Sequence, residues 1–355
     1  MPSPLKYSKV ILHLFPNLKL HILPYQLQFK YPFSIAHGIR TCTDAVFVAI
    51  EKDGILGYGE ATLPPYLKDN QSTSIAFLQN IEIEKLYNRF ILNIELFDDS
   101  ITDMPAKASI DMAFWDLKGK LENKKVSAYF DQTTKQKLIF STYTIGISSE
   151  DELKSKLADA SDFRLIKLKF NGKNDKDLIL NFRKYCNKPF AIDVNQAWTN
   201  LDEAKKMHDF LLAQNCFLIE QPFEKSDIKK TKELKQHSQL PIIADEAFQT
   251  IDTLVQIADA YDGINIKLMK CGGITNAFKI IQEAKKLELK ILLGCMSESA
   301  CGCAAAASLQ SFADWTDLDG PWLLKNNPFH DYTLEHGEIM TLQNNGLGIT
   351  TSLFQ

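Results

Sequence analysis

The sequence predicts an α/β protein, a parallel (β/α)8 barrel carrying an α+β cap, and three observations lead there. Short apolar, β-rich runs alternate with helix-length stretches from about residue 136 onward, the order of a parallel barrel. Several of those runs end on a carboxylate or a lysine. The region before them changes its period from strand-like alternation to a single helical face. An open doubly wound sheet shares the alternation, but it usually carries a glycine-rich phosphate turn after its first strand. This chain has no such turn, so the closed barrel is preferred.

In chain order, residues 19–29 and 44–60 read as strands of an antiparallel sheet, the second region broken by Asp53-Gly54, a strong hairpin signal. Between Pro105 and Lys120 the apolar residues Ile110, Ala113, Phe114, Leu117 and Leu121 recur at three and four, which predicts a helix. Pro105 suits its first turn, and Gly119 leaves its end uncertain. Barrel strands are predicted at 141–147, 165–170, 190–195, 216–220, 242–245, 263–269 and 291–295, with a short eighth within 312–319. The expected organisation is a capping domain over 1–130, a barrel over 131–322 and a tail, 323–355, that returns to the cap.

Composition removes several classes of function. Hydrophobic residues make up 45% and charged residues 24% of the 355, ordinary for a globular enzyme and unlike a disordered chain. Forty basic and 44 acidic side chains give a formal charge of -4, and there is no basic stripe with interleaved aromatics, which argues against nucleic acid. The seven cysteines are odd in number and include no CxxC pair, so free thiols in a reducing cytoplasm are expected, without zinc or disulfides. The apolar patch from Val10 to Phe15 is interrupted by His13 and ended by Pro16, too short for a signal peptide. No apolar run approaches the roughly 20 residues that cross a bilayer. A small molecule is the remaining kind of partner.

The chemistry is concentrated at the strand ends. Side chains alternate across a strand, so Lys167 and Lys169 share one face while Ile166, Leu168 and Phe170 share the other. Two inward lysines at the end of a barrel strand need anionic partners. Asp193, Glu220 and Asp245 each close a following apolar strand, and Lys267 closes the next; the separations are 27, 25 and 22 residues, one barrel repeat each. A lone strand-end carboxylate is as well explained by helix capping, but the five groups together predict a cation site at the C-terminal rim. Three hard oxygen donors without a neighbouring Cys or His select Mg²⁺, with Mn²⁺ as a substitute. A cation facing two lysines suits proton abstraction beside a carboxylate, because it neutralises the developing enediolate charge. For a lysine to act as the base, its pKa must fall from about 10.4 towards roughly 7 to 8.

These residues resemble the enolase superfamily, muconate-lactonizing-enzyme subgroup, whose pattern is Lys-x-Lys, Asp-x-Asn, Glu, Asp-Glu and a final Lys on successive strands. Residues 57–61 resemble the cap hairpin of that family and 108–120 its cap helix. The resemblance implies a modified TIM barrel with Lys169 and Lys267 as the acid–base pair, Asp193, Glu220 and Asp245 as Mg²⁺ ligands, and Asn195 in support. Residues 264–273 and 294–298 look most like the dipeptide epimerases, as do Asp317 and Asp319, which match a pair that binds a dipeptide's free ammonium. The same resemblance implies substrate contacts for Lys167, Thr144, Ser297 and Glu298.

It also reads Tyr31 to Thr41 as a mobile loop over the site, in which Arg40 pairs with a glutamate carboxylate and His37 is a weaker candidate. Tyr58 and residues 61–66 form the second cap loop in this reading. The implied activity is inversion of the C-terminal α-carbon of L-Ala-D-Glu and L-Ala-L-Glu by two-lysine 1,1-proton transfer, in bacterial murein-peptide recycling. Other dipeptide specificities are the first alternative. The subgroup's o-succinylbenzoate synthases, N-acylamino-acid racemases and cycloisomerases share the metal and lysines, and the Asp317/Asp319 pair argues against them. Family members are often homo-oligomers; the sequence itself carries no interface signal.

Overall fold

Asp53 and Gly54 adopt positive φ, 52° and 78°, as a two-residue type I′ turn requires, and join β2 (Gly38–Lys52) to β3 (Ile55–Leu63). The computed structural model describes residues 18–35, 38–97, 103–130, 139–341 and 345–355. In it β1 (Lys19–Ile35) completes an antiparallel sheet of order β1-β2-β3. Val46, Val48 and Ile50 of β2 face one apolar cluster and Ala45 and Phe47 the other. Both faces of this strand are therefore buried, which explains its unbroken apolar run.

The first two strands run further than the sequence predicts. Phe33 pairs with Arg40, Ser34 with Ile39 and Ile35 with Gly38, so the described part of the expected covering loop is a two-stranded arm. The register shifts between Gln28 and Phe33, around Pro32, which cannot donate to a ladder. His37 lies outside the described residues.

The helix Met104–Leu121 covers the cap sheet, with Pro105 in its first turn and the Asp103 carboxylate accepting the Ala106 N–H at 2.9 Å. It runs through Gly119, where a Cβ would meet the Gly346 backbone at 2.6 Å; the glycine serves the return of the tail, and the helix does not end there. Gly57 and Gly59 let β3 lie directly on this helix, because a Cβ at either would overlap the carbonyl oxygen of Ala113 or Ser109.

Eight parallel strands follow: β4 (Thr142–Ile145), β5 (Leu165–Lys169), β6 (Phe190–Asp193), β7 (Cys216–Glu220), β8 (Ile242–Ala244), β9 (Gly263–Lys267), β10 (Lys290–Gly294) and β11 (Trp315–Asp317). They hydrogen-bond in chain order, and a parallel bridge from Ser141 to Thr316 brings the first and last together. The short eighth strand lies inside the expected window. Ala191, Leu218, Ile243 and Leu292 form a small apolar cluster contributed by β6, β7, β8 and β10, as expected of side chains filling a barrel.

The tail forms the hairpin β12 (Tyr332–Glu335) and β13 (Glu338–Thr341). It then packs on the cap: Tyr58 stacks on Phe354 with centroids 5.9 Å apart, and Phe329 meets Phe47 at 5.1 Å. Tyr58 is thus a β3 residue in a cap–tail contact and not part of a covering loop. Among the described residues no helix is long and apolar enough to cross a membrane.

Candidate active site

The barrel register brings the charged strand ends together. Lys169 pairs with Asp193 across β5 and β6, Asp193 with Glu220 across β6 and β7, and Thr144 with Lys167 across β4 and β5. Gly294 of β10 lies between Lys267 and Asp317. Asp245 stands immediately after β8, and one oxygen each of Asp193, Glu220 and Asp245 lies within 4.8 Å of the others.

All three carboxylates are buried, at 0%, 0% and 4% exposure, so their charge has to be met inside the protein. Lys169 Nζ lies 2.6 Å from Asp193, and Lys267 Nζ 2.8 Å from Asp245. Lys167 reaches three acids, Glu220 at 2.7 Å, Asp317 at 2.8 Å and Asp193 at 3.2 Å. The two lysines expected to transfer protons therefore stand at opposite ends of one carboxylate row. Asn265 Nδ2 donates to Glu220 Oε1 at 2.9 Å. Asn195 lies beside the row; its N–H donates to Asp193 at 3.0 Å, and its own Oδ1 is buried without a partner.

The electrostatics of the row are those of paired charges. Burial would lower Lys267, but the carboxylates of Asp245 and Glu220 override it and hold the ammonium well above its usual range; the same competition raises Lys167. The expected fall of a base lysine is thus opposed by the acids that were expected only to hold a cation. Burial would raise Asp193 and Asp245, yet Lys169 with Lys167, and Lys267 with Lys270, keep them far below the carboxylate range. Glu220 goes the other way, pushed up to about 7 by burial and by Asp193, because its lysine is shared.

The row opens into a cavity of about 580 Å³ at the C-terminal rim, within the usual size of a small-molecule site. Thr144, Lys167, Lys169, Asn195, Asp245 and Lys267 line it, together with Ser297, Asp317, Asp319 and the cap residue Arg40. Asp317 accepts from Thr142 Oγ1 at 2.6 Å and Thr144 Oγ1 at 3.2 Å, and the Thr144 N–H donates to Asp319 at 2.5 Å. Only Asp317 is on β11 itself. Burial would raise it and Lys167 lowers it, whereas burial and Asp317 push Asp319 up to about 7.

Arg40 is half-buried, 5.6 Å from both the Phe29 and Tyr66 ring centroids, and its Nε and Nη1 have no hydrogen-bond partner. Glu298 does not join this lining. It is 1% exposed, accepts the Met296 N–H at 2.6 Å, and is raised by burial and by the neighbouring Glu60 to about 8. Glu60 reaches the same loop from the cap, where Ser299 and Gly302 donate to it. Ser297, expected beside it, does line the cavity.

Several contributors escaped the sequence reading. Lys270 binds Asp245 Oδ1 at 2.6 Å and its carbonyl at 2.7 Å; its position three residues after Lys267, on one turn of helix, was the available signal. Tyr66, at the end of the expected second cap loop, does line the mouth and donates to Met296 Sδ at 3.1 Å. Glu246 is raised to about 7 by burial and Asp245, with an unpartnered buried Oε2. A second cluster, His208, Asp209 and His237, is no comparable cation site. The Gln239 N–H donates to His208 Nε2 at 3.1 Å, which leaves the ring proton on Nδ1, the atom facing Asp209.

Comparison with known proteins agrees with this geometry. The profile described as "Mandelate racemase / muconate lactonizing enzyme, N-terminal domain" matches residues 18–129, and "Enolase C-terminal domain-like" matches residues 150–353. The chain is 34% identical to an L-Ala-D/L-Glu epimerase of Bacteroides thetaiotaomicron, over 94% of this chain and 88% of that one. It is 31% identical to an L-Ala-D/L-amino acid epimerase of Flavobacterium johnsoniae, over 94% and 99%. Among solved structures it is similar to a dipeptide epimerase from Enterococcus faecalis complexed with Mg and L-Leu-L-Tyr, with a TM-score of 0.80, 27% identity and coverage of 94% and 99%.

Proposed function

The chain belongs to the mandelate racemase / muconate lactonizing enzyme family of the enolase superfamily, and on that premise we propose that it is a dipeptide epimerase acting on L-Ala-D-Glu and L-Ala-L-Glu. One observation carries the reading: Lys169 and Lys267 bracket a buried carboxylate row at the floor of a cavity whose wall holds Asp317 and Asp319. Such a cavity has an acid pair for an ammonium at one side and a proton-transfer pair at the other. A free dipeptide presents both groups.

Asp193, Glu220 and Asp245 fit a Mg²⁺ ion, being buried, oxygen-only and mutually within 4.8 Å, and Mn²⁺ has the same preferences. A bound ion would supply positive charge to the substrate carboxylate and compete with the lysines for the three carboxylates. Lys167, already the partner of three acids, adds a fixed cation beside the substrate carboxylate. With the α-hydrogen between Lys169 and Lys267, the neutral lysine removes the proton and keeps it, and the other, as an ammonium, delivers a proton of its own to the opposite face, inverting the centre. Exchanged roles handle the other epimer.

Asp317 and Asp319, kept apart by Thr142 and Thr144, hold the free ammonium. Arg40 offers Nε and Nη1 to the glutamate carboxylate, a pairing that suits two buried guanidinium nitrogens without a partner among the described residues. Resemblance to the Bacteroides enzyme supports the glutamate preference and, with it, a place in murein-peptide recycling in a bacterial cytoplasm.

The test is chiral separation of the products formed from L-Ala-D-Glu, L-Ala-L-Phe and N-acetyl-Glu with Mg²⁺. The reading expects L-Ala-L-Glu as the favoured product. Turnover of N-acetyl-Glu with none of either dipeptide would contradict it.

A further inference from the structure

The residue between a proposed metal ligand and a proline carries a backbone that few side chains adopt. Gln221 follows Glu220, precedes Pro222, and has φ 38°, in the left-handed region that a non-glycine residue enters only at a cost. Asn195 and Gln196, at φ 46° and 68°, do the same at the end of the preceding strand. Conformations of this kind persist where their surroundings over-determine them.

For Gln221 the surroundings are fully visible. The residue is 0% exposed, and its side-chain amide uses every common hydrogen-bonding position. Oε1 accepts the N–H of Asp245 and the N–H of Ala247, both at 3.0 Å. Nε2 donates to the Phe223 carbonyl at 2.9 Å and to the Tyr261 hydroxyl at 3.0 Å. Backbone amides can only donate and a carbonyl can only accept, so the orientation of the amide is fixed by its partners. Its main chain is engaged as well: the N–H donates to Ile243 O and the carbonyl accepts from the Gln196 N–H, each at 2.9 Å.

The consequence is mechanical. Asp245 and Glu246 lie past the last residue of β8, so the strand ladder does not fix where their side chains point. The two amides held by Gln221 Oε1 flank that pair and set the turn. The same residue is covalently joined to Glu220, so a displacement of Gln221 moves two of the three carboxylates of the row together.

We propose that Gln221 is a positioning residue that couples Glu220 to Asp245 and thereby sets the affinity of the carboxylate row for a divalent cation. The proposal rests on the reading of that row as a Mg²⁺ site. Gln221 touches neither substrate nor cation in this account; it acts through the Asp245 and Ala247 amides. Loss of an outer partner of this kind typically lowers metal affinity by about 10- to 100-fold.

The experiment is calorimetric titration of the whole protein with MgCl₂ alone, for wild type, Gln221→Met and Gln221→Glu, beside a thermal melt of each. Methionine keeps the volume and loses the amide; glutamate keeps an acceptor for both N–H groups. The expected result is Mg²⁺ binding at least about tenfold weaker in Gln221→Met and largely restored in Gln221→Glu, in the order of the acceptor and not of the melting temperatures. Equal Mg²⁺ affinity in wild type and Gln221→Met overturns the proposal, as does equal weakening in both variants. If Gln221→Met does not fold, Tyr261→Phe removes one anchor of the amide; weaker Mg²⁺ binding without a matching loss of melting temperature supports the proposal, and unchanged binding overturns it. A wild-type chain that takes up no Mg²⁺ overturns the metal reading itself and this inference with it.

Discussion

Replacement of Arg40 by methionine separates recognition of the substrate side chain from the chemistry. The guanidinium lies 5.6 Å from the centroids of Phe29 and Tyr66, and neither Nε nor Nη1 has a partner. Methionine fills the space between two rings well, and its introduction breaks no hydrogen bond of these two nitrogens, so the melting temperature should hold or rise. The cost falls on binding. A hydrogen bond to a charged group contributes roughly 1.5–3 kcal/mol, so kcat/KM for L-Ala-L-Glu should fall by about 10- to 150-fold. L-Ala-L-Met, with no side-chain charge, should lose nothing and can gain. Arg40→Lys should recover only part of the loss, since an ammonium cannot reproduce the paired donors of the fork. The assay is the initial rate of epimerisation by polarimetry on both dipeptides. Equal losses on the charged and neutral substrates would refute the assignment and make Arg40 a support of the arm.

Three other outcomes follow from the same geometry. Burial and Asp317 push Asp319 up to about 7; an acid with a raised pKa is ionised only above it, so KM for a dipeptide should rise as pH falls below about 7, approaching tenfold per unit. Asp319→Asn should have a high KM without that inflection, and an unchanged inflection would exclude Asp319 as its source. Gly59→Ala would place a Cβ against the Ser109 carbonyl, an overpacking that costs about 1–3 kcal/mol or more; the urea midpoint should drop, and an unchanged midpoint would show that the helix can move away. Lys270→Met removes one of two cations from the buried Asp245, and should lower kcat/KM for every dipeptide alike by about tenfold or more. Discrimination by side chain would contradict that role.

The barrel was legible because its strands are buried on both faces. Runs such as Ile242–Ala244 and Gly263–Lys267 show 0% exposure almost throughout, which leaves an apolar signature that periodicity detects. The carboxylates and lysines were legible for the converse reason, as charged ends on such runs. The arm carrying Arg40 was not: Phe33 pairs with Arg40 in a local hairpin, but Pro32 and Gly38 punctuate the segment and outweigh its strand signal in a linear reading. The burial of Glu298 was not legible, because a sequence gives a position and not a rotamer; its carboxylate accepts the N–H of Met296, two residues before it, and lies near Glu60 of the cap. Gln221 was invisible for a related reason, since a left-handed φ at a glutamine is imposed by partners on β8 and by Tyr261.

The central claim is that Lys169 and Lys267 act on opposite faces of one carbon. The direct measurement is incorporation of deuterium from D₂O at the C-terminal α-carbon, followed by NMR on L-Ala-D-Glu and L-Ala-L-Glu separately, for Lys169→Ala and Lys267→Ala with Mg²⁺ present. Each variant should lose epimerisation yet still exchange the α-hydrogen of one epimer, and the two variants should retain opposite epimers. Exchange of both epimers in either variant, or of the same epimer in both, would contradict the account.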